Sequence, residues 1–251
     1  MDLTEFYPPS ADLIKSELNV LDHLMDNPYI TEKHSTFAQD ARKYYSRNKD
    51  YRAGFQFFSY LDVCHAEMPA NGGARSRQRN QKPNLKLVVA AKIELAPQGR
   101  YSNVSYCLAV CRIRAKRPAI LRKFHFDVTV SSGVAHARRQ QHPVCHLQYC
   151  GELIPQMSEI GCGQAQLEPM HPSLSEPRVF FWPMSLALLI DMALHEFPDP
   201  GSKKFRETTE WRSLVRSQED LILRPFYQKC VDVIVDVRKN HRTLAEEFYV
   251  N

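Results

Sequence analysis

Between Leu85 and Leu95 every odd position is apolar, while Lys86, Lys92 and Glu94 occupy even ones. A run of 11 residues with period two cannot lie on one side of a helix; it reads as a strand with one buried side. Gln98-Gly99-Arg100 supplies a turn, Tyr101 to Ile113 a second run, Lys116-Arg117-Pro118 another turn, and Ala119 to Val130 a third run. In that third run Ile120, Phe124, Phe126, Val128 and Val130 share one face, and Lys123, His125, Asp127 and Thr129 share the other. Short connections between successive strands impose antiparallel pairing, hence a meander. Phe55 to Tyr60 reads as a preceding strand, and Val144 to Leu153 as an extension of the sheet.

The ends of the chain carry a different period. Leu13, Ile14, Leu18, Leu21, Leu24 and Met25 recur at helical spacing after Ser10, a suitable N-cap, and Asn27-Pro28 ends that helix. Thr31 is expected to cap a second helix reaching about Arg47, with Phe37, Ala41, Tyr44 and Tyr45 on its apolar side. Residues 68–84 and 154–178 lack any period and read as loops; Pro183 to Phe197 reads as a nearly all-apolar, buried helix. A last helix is expected from near Pro225 to about Lys239. The fold class that follows is α+β, an antiparallel β-meander with N-terminal and C-terminal helices packed on it. The 251 residues then form a single domain: helices over 1–50, the meander over 53–153 with the basic loop 68–84, and a loop with C-terminal helices over 154–251.

The formal net charge of +5 conceals a polarity. Residues 70–139 hold 15 Lys and Arg against Glu94 and Asp127, a net +13, whereas residues 1–69 and 140–251 each carry −4. Such a field attracts phosphate. The residues expected to contact a polyanion are Arg75, Arg77, Arg79, Lys82, Arg112, Arg114, Lys116, Arg117, Arg122, Lys123, Arg138 and Arg139. An acidic protein would answer the same field, and charges on edge strands also serve simply to block aggregation. No zinc-finger, RRM, KH or P-loop pattern decides between them, and no cofactor is expected. Met1 to Pro9 lacks the basic and apolar run of a signal peptide, and the uncharged, largely apolar stretch Val179 to Ile190 is too short for a membrane span; a cytoplasmic chain without a membrane partner is expected. Its seven Cys form no CxxC pair and are expected to be reduced thiols.

His125 and Asp127 alternate onto one face beside Lys123, and in the segment from His142 to Gln148 the even positions again carry polar side chains. If that segment pairs beside the preceding strand, His125, Asp127, His142 and His146 converge with Gln148 into a candidate catalytic patch. Two imidazoles, a carboxylate and nearby cations suit general acid–base cleavage of a phosphodiester; a two-His, one-carboxylate metal set is a further option, with the metal unknown. The bland alternative is an outward row of satisfied polar side chains. Cys145 and Cys150 flank His146 and are candidate nucleophiles, or else small buried hydrophobes.

Phe124-His125-Phe126-Asp127, His142-Pro143 followed by His146 and Gln148, and Pro177-Arg178 before an apolar helix ending at Phe197-Pro198 resemble an uncharacterised bacterial family. Its members carry an aromatic-Asp strand, an HPxxH segment and a Pro-Arg or Arg-Ile-Pro step, and occur among defence and toxin–antitoxin neighbourhoods. The resemblance covers residues 85–200 and implies accessory or defence biology with an operon-encoded partner. The order of helix, meander, His-Pro step and nearby Cys is also similar to ubiquitin-conjugating E2-like domains, although Val144 stands where their His-Pro-Asn motif has Asn. Three functional expectations result: an interaction module binding nucleic acid or an acidic partner, a His-dependent or metal-assisted ribonuclease, and an E2-like conjugation protein using a Cys near the His-Pro step.

Overall fold

The computed structural model describes residues 7–25, 27–31, 35–47, 54–62, 85–114, 117–128, 142–143, 145–149, 178–197, 200–240 and 249–250. Strands β1 (Gly54–Asp62), β2 (Leu85–Leu95), β3 (Tyr101–Arg114), β4 (Arg117–Val128), β6 (Cys145–Tyr149) and β7 (Arg178–Phe180) form one six-stranded antiparallel sheet in that order. A separate ladder joins β5 (His142–Pro143) to β8 (Tyr249–Val250). The β2–β3 turn closes through Ala96 N–H to Arg100 O and Gly99 N–H to Ala96 O, both 2.8 Å, with Gly99 at φ +72°.

Gly54 opens β1 at φ +106°, where an added Cβ would stand 2.2 Å from the Ile93 carbonyl oxygen across the ladder. Both the backbone conformation and the space demand glycine. Gly54→Ala is expected to cost about 2 kcal/mol of unfolding free energy by urea titration, and clearly more than Gly99→Ala, whose Cβ meets nothing. Equal costs would show that cross-strand crowding at Ile93 is unimportant.

Alternation divides the sheet into two faces. One presents Phe55, Phe57, Leu87, Val89, Ile93, Val104, Tyr106, Phe126 and Val128 to the main core. Against it pack α1 (Ser10–Met25), α3 (Ser35–Arg47) and α4 (Leu186–Glu196), and α1 buries Leu13, Ile14, Leu18, Leu21 and Leu24 at the expected spacing. The apolar stretch beginning at Val179 divides: Leu186, Ala187, Leu189 and Ile190 are enclosed, whereas Val179, Phe180 and Trp182 are exposed. The opposite face carries a smaller cluster of Phe58, Val88, Ala90, Cys107, Ala109 and Cys111, then turns polar toward β4 and β6.

Three features depart from the sequence-based expectation. Thr31 does not cap the second helix; it ends a short α2 (Pro28–Thr31), and α3 starts afresh at Ser35. Residues 178–180 add an edge strand, between the expected loop 154–178 and the expected helix from Pro183, that the sequence reading did not assign. Two further helices, α5 (Pro200–Glu207) and α6 (Thr209–Gln218), follow α4, the second capped by the Thr208 hydroxyl accepting from Trp211 N–H at 3.3 Å. The last helix, α7 (Arg224–Lys239), begins next to Pro225 and ends at Lys239 as the sequence leads one to expect, and it joins α6 through a π turn at Glu219–Leu223. Pro225 has no N–H to donate and its ring crowds the carbonyl four residues earlier; the wider turn just before it relieves that conflict. No described helix is long and apolar enough to cross a membrane.

Candidate functional site

The register of β4 with its neighbours assembles a polar patch on the second face. Ser105 of β3, Asp127 of β4, His146 of β6 and Phe180 of β7 lie in one cross-strand row. Cys107, His125, Gln148 and Arg178 form the next, and Ala109 with Lys123 begins a third. Because Phe124, Phe126 and Val128 belong to the core side, a one-residue slip of β4 would bury the polar set in the core and expel the aromatics, so the hydrophobic pattern holds this register.

The Ser105 hydroxyl donates to Asp127 Oδ1 at 2.5 Å, and His146 Nε2 stands 3.8 Å from Asp127 Oδ2. The surroundings are dry: His125, His146 and Gln148 are buried and Lys123 is wholly enclosed, while the Asp127 side chain is 26% exposed. Burial lowers the His125 pKa from 6.5 to about 4, helped by the charges of Lys123 and His146 and opposed by Asp127. The ring is therefore neutral at pH 7. Cys107 beside it is pushed up to about 12 by burial, against the pull of Lys123, and stays a thiol.

Three of the four expected catalytic residues, His125, Asp127 and His146, thus share one patch together with Gln148. His142 does not join their ladder; its strand pairs with β8, opposite Val250. Cys145 lies on the core side of β6, the face opposite His146, and burial raises its thiol pKa far above the ordinary range. A thiolate nucleophile at that position is therefore ruled against by its environment. Cys150 lies outside the described residues. Ser105 and Cys107 are additions that sequence reading missed, because only the pairing register brings them to this patch; Arg178, quoted above in the Pro-Arg step, stands at the register position opposite Gln148. Among the described residues no group of three or more His, Cys, Asp and Glu is arranged to hold a metal.

The basic residues divide similarly. Lys123, expected at a polyanion surface, is instead buried in the patch. Lys86 lies 3.7 Å over the Tyr60 ring and Lys92 pairs with Glu94 at 2.8 Å. Arg112, Arg114, Arg117 and Arg122 sit on β3 and β4, with Arg114 opposite Arg117 at the hairpin end. Arg75, Arg77, Arg79, Lys82, Lys116, Arg138 and Arg139 lie outside the described residues.

No family model matches the chain, and no curated protein or solved structure is significantly similar to it.

Proposed function

We propose that the chain is a polyanion-binding module, with RNA or another nucleic acid as partner, serving as one component of a bacterial defence or toxin–antitoxin system. The observation that supports the binding role is the concentration of positive charge in one stretch of the chain. The stretch of net +13 supplies three adjacent strands of the sheet, β2, β3 and β4. The Arg-rich segment from Arg75 to Lys82 belongs to the same stretch and lies in the chain between β1 and β2. Fluorescence anisotropy with labelled single-stranded RNA, single-stranded DNA and duplex DNA tests it. Binding that weakens steeply with salt, and at least tenfold in Arg75→Glu/Arg77→Glu/Arg79→Glu, is expected. Absence of binding at low salt to all three would sink the nucleic-acid reading.

The meeting of His125, Asp127 and His146 favours a second reading, phosphodiester cleavage. Neutral His125 would take the 2′-hydroxyl proton, His146 beside Asp127 would protonate the leaving oxygen, and Lys123 would offset the developing charge. On this mechanism the His125→Ala and His146→Ala variants lose about a hundredfold or more in cleavage of labelled RNA. The acid limb of the rate profile falls near pH 4, because burial holds the base there. Nicking that persists in both variants would remove these residues from the chemistry and leave binding alone.

A further inference from the structure

The helical layer contains a cleft of about 550 Å³ between α4, α5 and α6, remote in sequence from the His–Asp patch and of a size suited to a small molecule. At its wall Arg206 is locked in place. Its Nε and Nη2 donate to Asp191 Oδ1 and Oδ2 at 2.9 and 3.2 Å, the Trp211 indole N–H donates to the same Oδ1 at 2.9 Å, and Arg206 Nη1 lies 2.8 Å from His195 Nδ1. Arginine only donates, so His195 Nδ1 accepts and the ring N–H sits on Nε2. Of the five N–H groups of a guanidinium these contacts use three, and Arg206 retains two on a rigid fork.

Around it the cleft is lined by Lys203, Arg212 and Arg216, with Arg212 tethered through Nε to the Arg206 carbonyl oxygen at 3.3 Å. Asp191 is neutralised by Arg206, so these three cations face only Glu207 and Glu219. Leu194 and Val215 supply an apolar side. Glu219 also begins the π turn that joins α6 to α7, a feature that recurs where helices carry binding side chains. We propose that this cleft binds a phosphate monoester of mononucleotide size, the phosphate on the Arg206, Arg212 and Arg216 donors and its organic part against Leu194 and Val215. The planar Arg206 fork, fixed before binding, favours phosphate over a diffuse countercharge.

Isothermal titration of the full chain with AMP at ~0.15 M salt tests this, with adenosine and inorganic phosphate as comparison ligands. AMP is expected to bind at least tenfold more tightly than either. Arg212→Ala/Arg216→Ala, two exposed positions on α6, is expected to weaken AMP at least tenfold with an unchanged far-UV spectrum. Arg206→Lys, which keeps the charge but loses the fork, weakens it as well. Lack of AMP binding at millimolar concentration, equal binding of adenosine or phosphate, or unchanged affinity in the double variant would overturn the proposal.

Discussion

Glu17→Ala is expected to lower the unfolding free energy by about 3 kcal/mol at pH 6, measured by urea titration. Glu17 is fully buried on α1, amid the apolar residues of that helix. It accepts the Tyr106 hydroxyl of β3 at 2.5 Å and, through Oε2 and Oε1, the Leu186 N–H at 3.0 and 3.2 Å. Leu186 is the first residue of α4, whose N-cap, Ser185, accepts only from Leu188 N–H through its side chain. One carboxyl group therefore ties α1, the sheet and the buried start of α4 together. Alanine would leave the buried Leu186 N–H without its acceptor, deprive the Tyr106 hydroxyl of its carboxyl partner and open a cavity besides. Glu17→Gln retains an acceptor and is expected to remain within about 1 kcal/mol of the parent at that pH. A loss below about 1 kcal/mol in the alanine variant would mean that water or a neighbouring group satisfies both donors.

Stability is also expected to be nearly flat between pH 4.5 and 6.5 because two buried groups oppose each other there. Burial raises the Glu17 pKa from 4.5 to about 7, against the hydrogen bonds from Tyr106 and Leu186. In that window the folded chain holds more protons at this site than the unfolded one, so its contribution is complete below 4.5 and is lost as pH rises through 7. His125 has the reverse sign: its pKa falls from 6.5 to about 4, so its contribution is complete above 6.5 and is lost as pH falls through 4. Either variant unmasks the other group. Glu17→Gln should show stability rising with pH by up to about 3 kcal/mol, and His125→Asn should show it falling with pH by a similar amount. Denaturation midpoints collected across pH 4 to 8 would reveal parent and variants with parallel profiles if neither site is linked to folding.

The strands were legible from apolar alternation and from the turns between the runs; Leu85–Leu95, where every odd position is apolar, was bounded to the residue. Helix α1 was equally plain, since Leu13 through Met25 hold one apolar face. Helices α5 and α6 were not, because each is short and buries few residues, Ser202 and Phe205 in one and Trp211 and Gln218 in the other. With them the sequence hid the Asp191, Arg206 and Trp211 network, whose members meet across three helices. The site was half legible. A spacing of two put His125 and Asp127 on one face, but nothing local determined that His146 and Gln148 would be their partners while His142 paired elsewhere.

Local pattern thus determined the α+β class, the meander and the unequal distribution of charge, because period, turn chemistry and residue type act between near neighbours along the chain. Tertiary structure alone decided burial and company. It enclosed Lys123, turned Cys145 into the core away from His146, set Ser105 against Asp127 and placed Glu17 under the start of α4. Those outcomes depend on desolvation and on pairing between segments far apart in the chain, and neither quantity exists until the sheet and its helical layer have closed on each other.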